Sequence, residues 1–156
     1  PNDLLYDLYG GTGAIASVVA RALQDRTGKA PSRVVTVEPD QNSSAYADAN
    51  LEPFSHTLER ITAERFAHRS APVDSRSIVI VDPPRAGLAP PVRQWLRKGE
   101  PARLLYVSCD PSTLARDLKE LSPRYTIASI RPFDFFPQTS HVESLTLLLP
   151  AGVEGA

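Results

Sequence analysis

The chain has little with which to cross-link itself or to ligate a metal. Of its 156 residues one is cysteine, Cys109, and three are histidine. A lone thiol forms no internal disulfide and fits a reducing compartment. With three scattered histidines it also argues against a zinc site. No apolar run exceeds the length of a strand, so no membrane-spanning helix is expected. There is no basic-then-apolar start with a small-residue cleavage site, so a cytoplasmic location is expected. Concentrated positive charge is missing too: the net charge is −1, whereas phosphate contacts need clustered Lys and Arg. Two local groups, Arg60, Arg65, Arg69 and Arg76, then Arg85, Arg93, Arg97, Lys98 and Arg103, read as solvated surface.

What is present is ordinary for one soluble domain with its own core: 42% hydrophobic and 22% charged residues. Strand and helix signals alternate. Residues 4–9, 33–38, 77–82, 103–108, 125–131 and 144–149 read as strands, the run SIVIVD being β-branched and continuous. Residues 14–24, 40–51, 92–98 and 111–121 have helical spacing, the last opened by Asp110 as cap and Pro111 at the first position. Residues 58–66 are ambiguous, a short strand followed by a turn of helix. Such alternation predicts a mostly parallel seven-stranded sheet with helices on both faces. No helix signal precedes the first strand to cover that side of the sheet, so a fragment of a longer protein is expected, with 151–156 as a frayed tail.

Ligands of such sheets bind beyond the carboxyl ends of the strands, and the chemically interesting residues fall there. Gly11-Thr12-Gly13-Ala14-Ile15-Ala16 follows a strand and opens a helix, the G-x-G-x-x-G/A pattern of nucleotide sites. Glu38 ends the second strand, where a carboxylate accepts both hydroxyls of a ribose. Together they indicate an adenosine-type cofactor; the glycines alone leave a dinucleotide and S-adenosylmethionine both open. Asp7 could receive the cationic amino group of the latter, or be an ordinary strand-end carboxylate. Asp82-Pro83-Pro84-Arg85 ends the central strand, and its two prolines fix a rigid polar edge suited to a planar base.

Cys109 closes another strand just before a helix start. A buried small hydrophobe is the default for a single cysteine, but this position suits a nucleophile. A free thiol is only about 3% ionised at pH 7, and a helix end contributes roughly 0.3–1 kcal/mol towards the thiolate. A cation such as Arg85, or the substrate itself, has to add to that, and Asp110 is expected to cap the helix rather than face the sulfur. Glu143 and His141 alternate at the start of the last strand and should share one side of it. Glu143 is a candidate base, and Arg85 and His141 are candidate substrate contacts. Phe133, Phe135 and Phe136 lie in a loop between Pro132 and Pro137, where stacking on a base is one use and core packing another.

The segments DLYGGTG, VVTVEPD, IVIVDPPRAGL, LLYVSCDPSTLARDL and FDFFPQTSHVE, in this order, resemble the RNA 5-methyluridine (uracil-C5) methyltransferase family over nearly the whole chain. The resemblance implies a Rossmann-like class I methyltransferase fold over residues 1–150. It also implies methylation of carbon 5 of a uridine in tRNA or ribosomal RNA, with S-adenosylmethionine as donor. It would place the cofactor on Asp7, Tyr9, Gly11, Gly13, Glu38 and Asp82, the nucleophile at Cys109 and the proton-abstracting base at Glu143. Family members often carry cysteine where Gly10 stands and asparagine where Asp110 stands. They also carry an N-terminal oligonucleotide-binding barrel and a further RNA-contacting region, so most of the grip on RNA is expected from such parts. The residues alone also permit an amino-methyltransferase that orients an exocyclic amine with Asp-Pro-Pro, a nicotinamide-dependent dehydrogenase, or a non-catalytic cofactor binder.

Overall fold

A computed structural model describes residues 4–134 and 142–153. Among them, seven strands form one sheet: β1 (Leu4–Leu8), β2 (Arg33–Val37), β3 (His56–Glu59), β4 (Ser77–Val81), β5 (Arg103–Ser108), β6 (Tyr125–Phe133) and β7 (Glu143–Pro150). Their spatial order is β3-β2-β1-β4-β5-β7-β6. All neighbours pair in parallel except β7, which runs against both β5 and β6. The sheet is thus mixed through a single reversed strand.

Among the described residues five helices connect the strands: α1 (Ala14–Thr27), α2 (Gln41–Leu51), α3 (Ala63–Arg69), α4 (Pro90–Lys98) and α5 (Pro111–Leu121). Strand alternation sends successive side chains to opposite layers. Val79 and Val81 of β4 pack with Leu8, Val37, Leu104 and Tyr106 under Phe66, Trp95, Leu96, Leu114 and Leu121 of α3, α4 and α5. Ile78 and Ile80 face the other way, with Leu5 and Val34, against Ala16 and Ala20 of α1 and Leu51 of α2. Every residue of β4 is buried, as its unbroken apolar run predicts. β6 is an outer strand, exposed along most of its length, with a register shift between Ile127 and Ser129.

Local chemistry sets the boundaries. α1 outruns its apolar spacing because the Thr27 hydroxyl bonds the Leu23 carbonyl at 2.7 Å and Gly28 closes the helix in a left-handed cap at φ 74°. α4 starts at Pro90 rather than after the proline pair, since proline is tolerated in a first turn. The ambiguous stretch resolves into β3 and α3, with the Thr62 side chain capping the latter by accepting from the Arg65 N–H. Asp40 and Asp110 cap α2 and α5 in the same way.

Gly13 opens α1 at φ 70°, and a Cβ there would lie 3.1 Å from the Ala47 side chain and 3.3 Å from Leu51. The last glycine of the turn therefore lets α2 cross α1 closely. Gly13→Ala combines left-handed strain with overpacking and should cost about 2–4 kcal/mol. Gly28→Ala, whose added methyl group meets nothing within 4 Å, should cost about 1–2 kcal/mol. Chemical denaturation of the two variants checks the order.

Candidate active site

The strand order reverses between β1 and β4, and three carboxylates gather at the carboxyl ends beside that point. Asp7, one residue before the end of β1, is 1% exposed and faces the α1 layer. Neither of its oxygens accepts a hydrogen bond of ordinary geometry. Burial, then the negative charge of Asp82 and, less strongly, of Glu38, raise its carboxyl from the ordinary 3.8 to about 7. The Ala16 N–H in the first turn of α1 pulls the other way, by more than Glu38 pushes. Glu38 is anchored by two backbone donors, the Gly11 N–H at 3.0 Å on Oε2 and the Asp40 N–H at 2.8 Å on Oε1. Each oxygen keeps a second lone pair for a hydroxyl donor. A buried carboxylate without a well-placed donor is costly and calls for a cation. The donor set therefore fits a ligand carrying positive charge beside vicinal hydroxyls.

The glycine turn is tightly built. Gly10 donates to the Val37 carbonyl at 3.1 Å, and a Cβ on it would lie 2.4 Å from Cγ2 of buried Thr36. Any side chain on Gly10 would collide with that methyl group. Gly11, at φ 52°, has open space where a side chain would be. Tyr9 also adopts a left-handed backbone, φ 62°, rare for an aromatic residue. Its ring packs against the α3–α5 layer and its hydroxyl is buried.

Next to these carboxylates lies a cleft of about 600 Å³ lined by Ile15, Asp82, Val107, Cys109, Phe133, Glu143, Ser144 and Leu145. β7 accounts for its composition. Its antiparallel register pairs Ser144 with Ser108 and Leu145 with Val107, so the next step outward sets Glu143 against Cys109. The Ser108 hydroxyl braces the sulfur-bearing turn, accepting the Asp110 N–H at 3.2 Å and donating to the Asp110 carbonyl at 3.0 Å. Asp110 points its carboxylate into the helix, accepting the Thr113 N–H at 2.8 Å. That bond, and to a lesser degree the charge of Arg85, keep the Asp110 carboxyl below its usual range. Partial burial, then the charge of Glu143, push the Asp82 carboxyl up to about 6.

A sequence model of the tRNA (uracil-5-)-methyltransferase family matches residues 2–150. The chain belongs to that family. It is similar to uncharacterized RNA methyltransferases of Chlorobaculum tepidum, 36% identical over 93% of this chain, and Bacteroides thetaiotaomicron, 35% identical over 94%. It spans 30% and 32% of those relatives, about a third of their length. Among solved structures it is similar to the Pyrococcus abyssi tRNA (uracil-54, C5)-methyltransferase in complex with S-adenosyl-L-homocysteine. That likeness has a TM-score of 0.74 and 33% identity, over 93% of this chain and 34% of that one. A Listeria monocytogenes protein assigned to the class I S-adenosylmethionine-dependent methyltransferases shares the fold, with a TM-score of 0.72 and 19% identity over 99% of this chain and 56% of that one. The fold is therefore the Rossmann-like class I methyltransferase fold.

In this member of the tRNA (uracil-5-)-methyltransferase family, Asp82, Cys109 and Glu143 share the cleft, and Asp7, Gly11 and Glu38 gather beside it. Gly13 packs α1 on α2, and the Tyr9 ring turns to the opposite layer. His141, Phe135 and Phe136 lie outside the described residues. Sequence reasoning missed Ser108 and Asp117. A serine beside Cys109 carries no distinctive signal. Asp117, however, sits among Leu114, Leu118 and Leu121 on the stripe that the helical period buries, and it is 0% exposed.

Because the folded state raises the Asp7 carboxyl from 3.8 to about 7, the fold favours its protonated form. Its contribution to stability is present at low pH and is lost as pH rises from about 4 through about 7. Asp7→Asn should remove that dependence and, without ligand at pH 8, stabilise the protein by roughly 1–3 kcal/mol. Denaturation curves of both proteins between pH 4 and 8 test this. A constant difference across that range would contradict it.

Proposed function

We propose that the chain methylates carbon 5 of a uridine in tRNA or ribosomal RNA through a covalent adduct on Cys109, with S-adenosylmethionine as donor. The observation that carries this reading is the placement of Cys109 and Glu143 in one cleft, beside the carboxylate cluster of Asp7, Glu38 and Asp82. Family membership and the fold shared with class I enzymes support it.

S-adenosylmethionine supplies a methyl group on a sulfonium, and the carboxylates suit its positive charges. Asp7 would receive the ammonium, Glu38 the ribose hydroxyls and Asp82 the polar edge of the base. The chain's own work is on the uracil ring, whose carbon 5 is too weak a nucleophile unaided. The Cys109 thiolate adds to carbon 6, and the 5,6 double-bond electrons move onto the carbon 4 carbonyl as an enolate. Carbon 5 would take the methyl group as the enolate collapses, the methyl–sulfur bond breaking with its electron pair left on sulfur as a neutral thioether. Glu143 then removes the carbon 5 proton, the 5,6 double bond re-forms and the sulfur leaves carbon 6. The uridine has to leave its stack to reach the cleft, and Phe133 at the rim offers an aromatic face to the extruded base. With a net charge of −1 and relatives about three times as long, this reading assigns most of the grip on RNA to sequence beyond these residues.

RNA carrying 5-fluorouridine tests the scheme, because fluorine replaces the proton that Glu143 removes. The wild-type chain with S-adenosylmethionine should form a denaturation-stable protein–RNA link. Cys109→Ala should form none and lose methyl transfer at least about a thousandfold, with cofactor affinity within about twofold by calorimetry. Glu143→Gln should accumulate the link on unmodified RNA. Near-normal turnover by Cys109→Ala would overturn the covalent route in favour of direct transfer, as to an exocyclic amine.

A further inference from the structure

Asp117 is a fully buried carboxylate that the proposed chemistry does not use, and its partners converge from four parts of the fold. Oδ2 accepts the Leu88 N–H and the Tyr106 hydroxyl, each at 2.7 Å. Oδ1 accepts Nε and a terminal nitrogen of Arg116 at 3.0 and 2.8 Å, and Arg93 at 3.3 Å. Burial, and then the bond to Asp117, push the Tyr106 hydroxyl well up, so it stays a donor. The same two arginines reach back to the loop: Arg116 donates to the Ala86 carbonyl at 2.8 Å, and Arg93 to the Leu88 carbonyl. Arg93 also binds Glu120 at 2.7 Å. Gly87, at φ 77°, lies so close that a Cβ would come within 2.6 Å of both Arg116 and the Asp117 carboxylate.

Residues 83–88 are thus stitched to α5 at Ala86, Leu88 N–H and Leu88 C=O through one carboxylate and its two guanidinium groups. Asp82, where the loop begins, and Cys109, just before α5, both line the cleft. The loop begins at Asp82 and bears Arg85; α5 begins at Pro111, separated from Cys109 only by its cap Asp110. We propose that Asp117 is a positioning residue that locks the Asp82–Leu88 loop to α5 and so fixes Asp82 and Arg85 relative to the Cys109 sulfur. Of the proposed cofactor contacts, Asp82 starts the tethered loop, whereas Asp7, Gly11 and Glu38 lie on β1 or just beyond β1 and β2, outside it. The proposal rests on the covalent reading above for its catalytic consequence, and on the hydrogen bonds alone for the lock.

Asp117→Asn keeps the shape but leaves an NH2 group facing donors on one side, since an amide has one acceptor oxygen. The Leu88 amide should then exchange with solvent about tenfold faster or more. Link formation with 5-fluorouridine RNA at saturating S-adenosylmethionine should slow roughly tenfold to a hundredfold, while cofactor Kd, with only the Asp82 contact loosened, rises by less than about fivefold. Arg116→Gln, on a side chain 46% exposed, removes the Ala86 tether and the two Arg116 bonds to Asp117, and leaves both Leu88 tethers in place. It should slow the link in the same direction by less, and it decides the matter should Asp117→Asn fail to fold. Link rates within twofold of wild type in the folded variants would overturn the positioning role. So would a cofactor affinity that falls by as large a factor as the link rate, which marks general damage. A wild-type chain that binds the RNA, at concentrations where a gel shift is complete, yet forms no link sinks the covalent reading instead; the lock is then judged by Leu88 exchange, supported by acceleration and refuted by none.

Discussion

The site depends on one reversed strand. Had β7 joined the sheet parallel to β5, its first residue would lie at the far edge, a strand length from the thiol. Running antiparallel, it brings its start to the place where β5 stops, and the Ser108–Ser144 pair sets the register. Side chains alternate with period two along a strand, so a slip of one residue would turn Glu143 to the other face. The buried Leu148, packed in the core with Leu104 and Tyr106, resists such a slip. Core packing several residues away thereby decides what stands opposite the sulfur.

Two carboxylates of the same type are treated in opposite ways. Asp117 sits at 0% exposure with donors on both oxygens and two arginines against it. Asp7 is almost as deeply buried, has no well-placed donor, and has Asp82 and Glu38 as electrostatic neighbours. The first arrangement rigidifies the protein, because a charged acceptor so surrounded has nowhere else to go. The second leaves the fold with an unmet demand at the strand-order reversal, where a ligand can meet it. Structural and ligand-directed uses of aspartate are told apart here by which partners the fold supplies.

Much of this was legible in the residues. The apolar run of β4, the Asp110-Pro111 helix start and the glycine turn after β1 each state their conformation locally. The placement of Asp82, Cys109 and Glu143 at strand boundaries followed from the same reading. What was not legible depends on long-range geometry. Nothing in the sequence says that β7 enters between β5 and β6, that α2 crosses α1 at Gly13, or that the Tyr9 ring turns toward the α3–α5 layer. Asp117 announces its burial by its place in the leucine stripe, yet its donors come from a loop, a strand and two helices that only the folded chain brings together.

The outer strand β6 has a consequence of a different kind. Its free flank could template the addition of another polypeptide, since Ile127 and Ile130 are about half exposed and the strand is nine residues long. The register shift at Ile127/Ser129 bends that flank, and Arg131 and Pro132 add a charge and a missing N–H near its end. A growing ladder of copies would meet a kinked, charged rail in place of a flat one. The irregularity in the last hairpin thus guards the molecule against polymerisation at the margin where its sheet is most open to it.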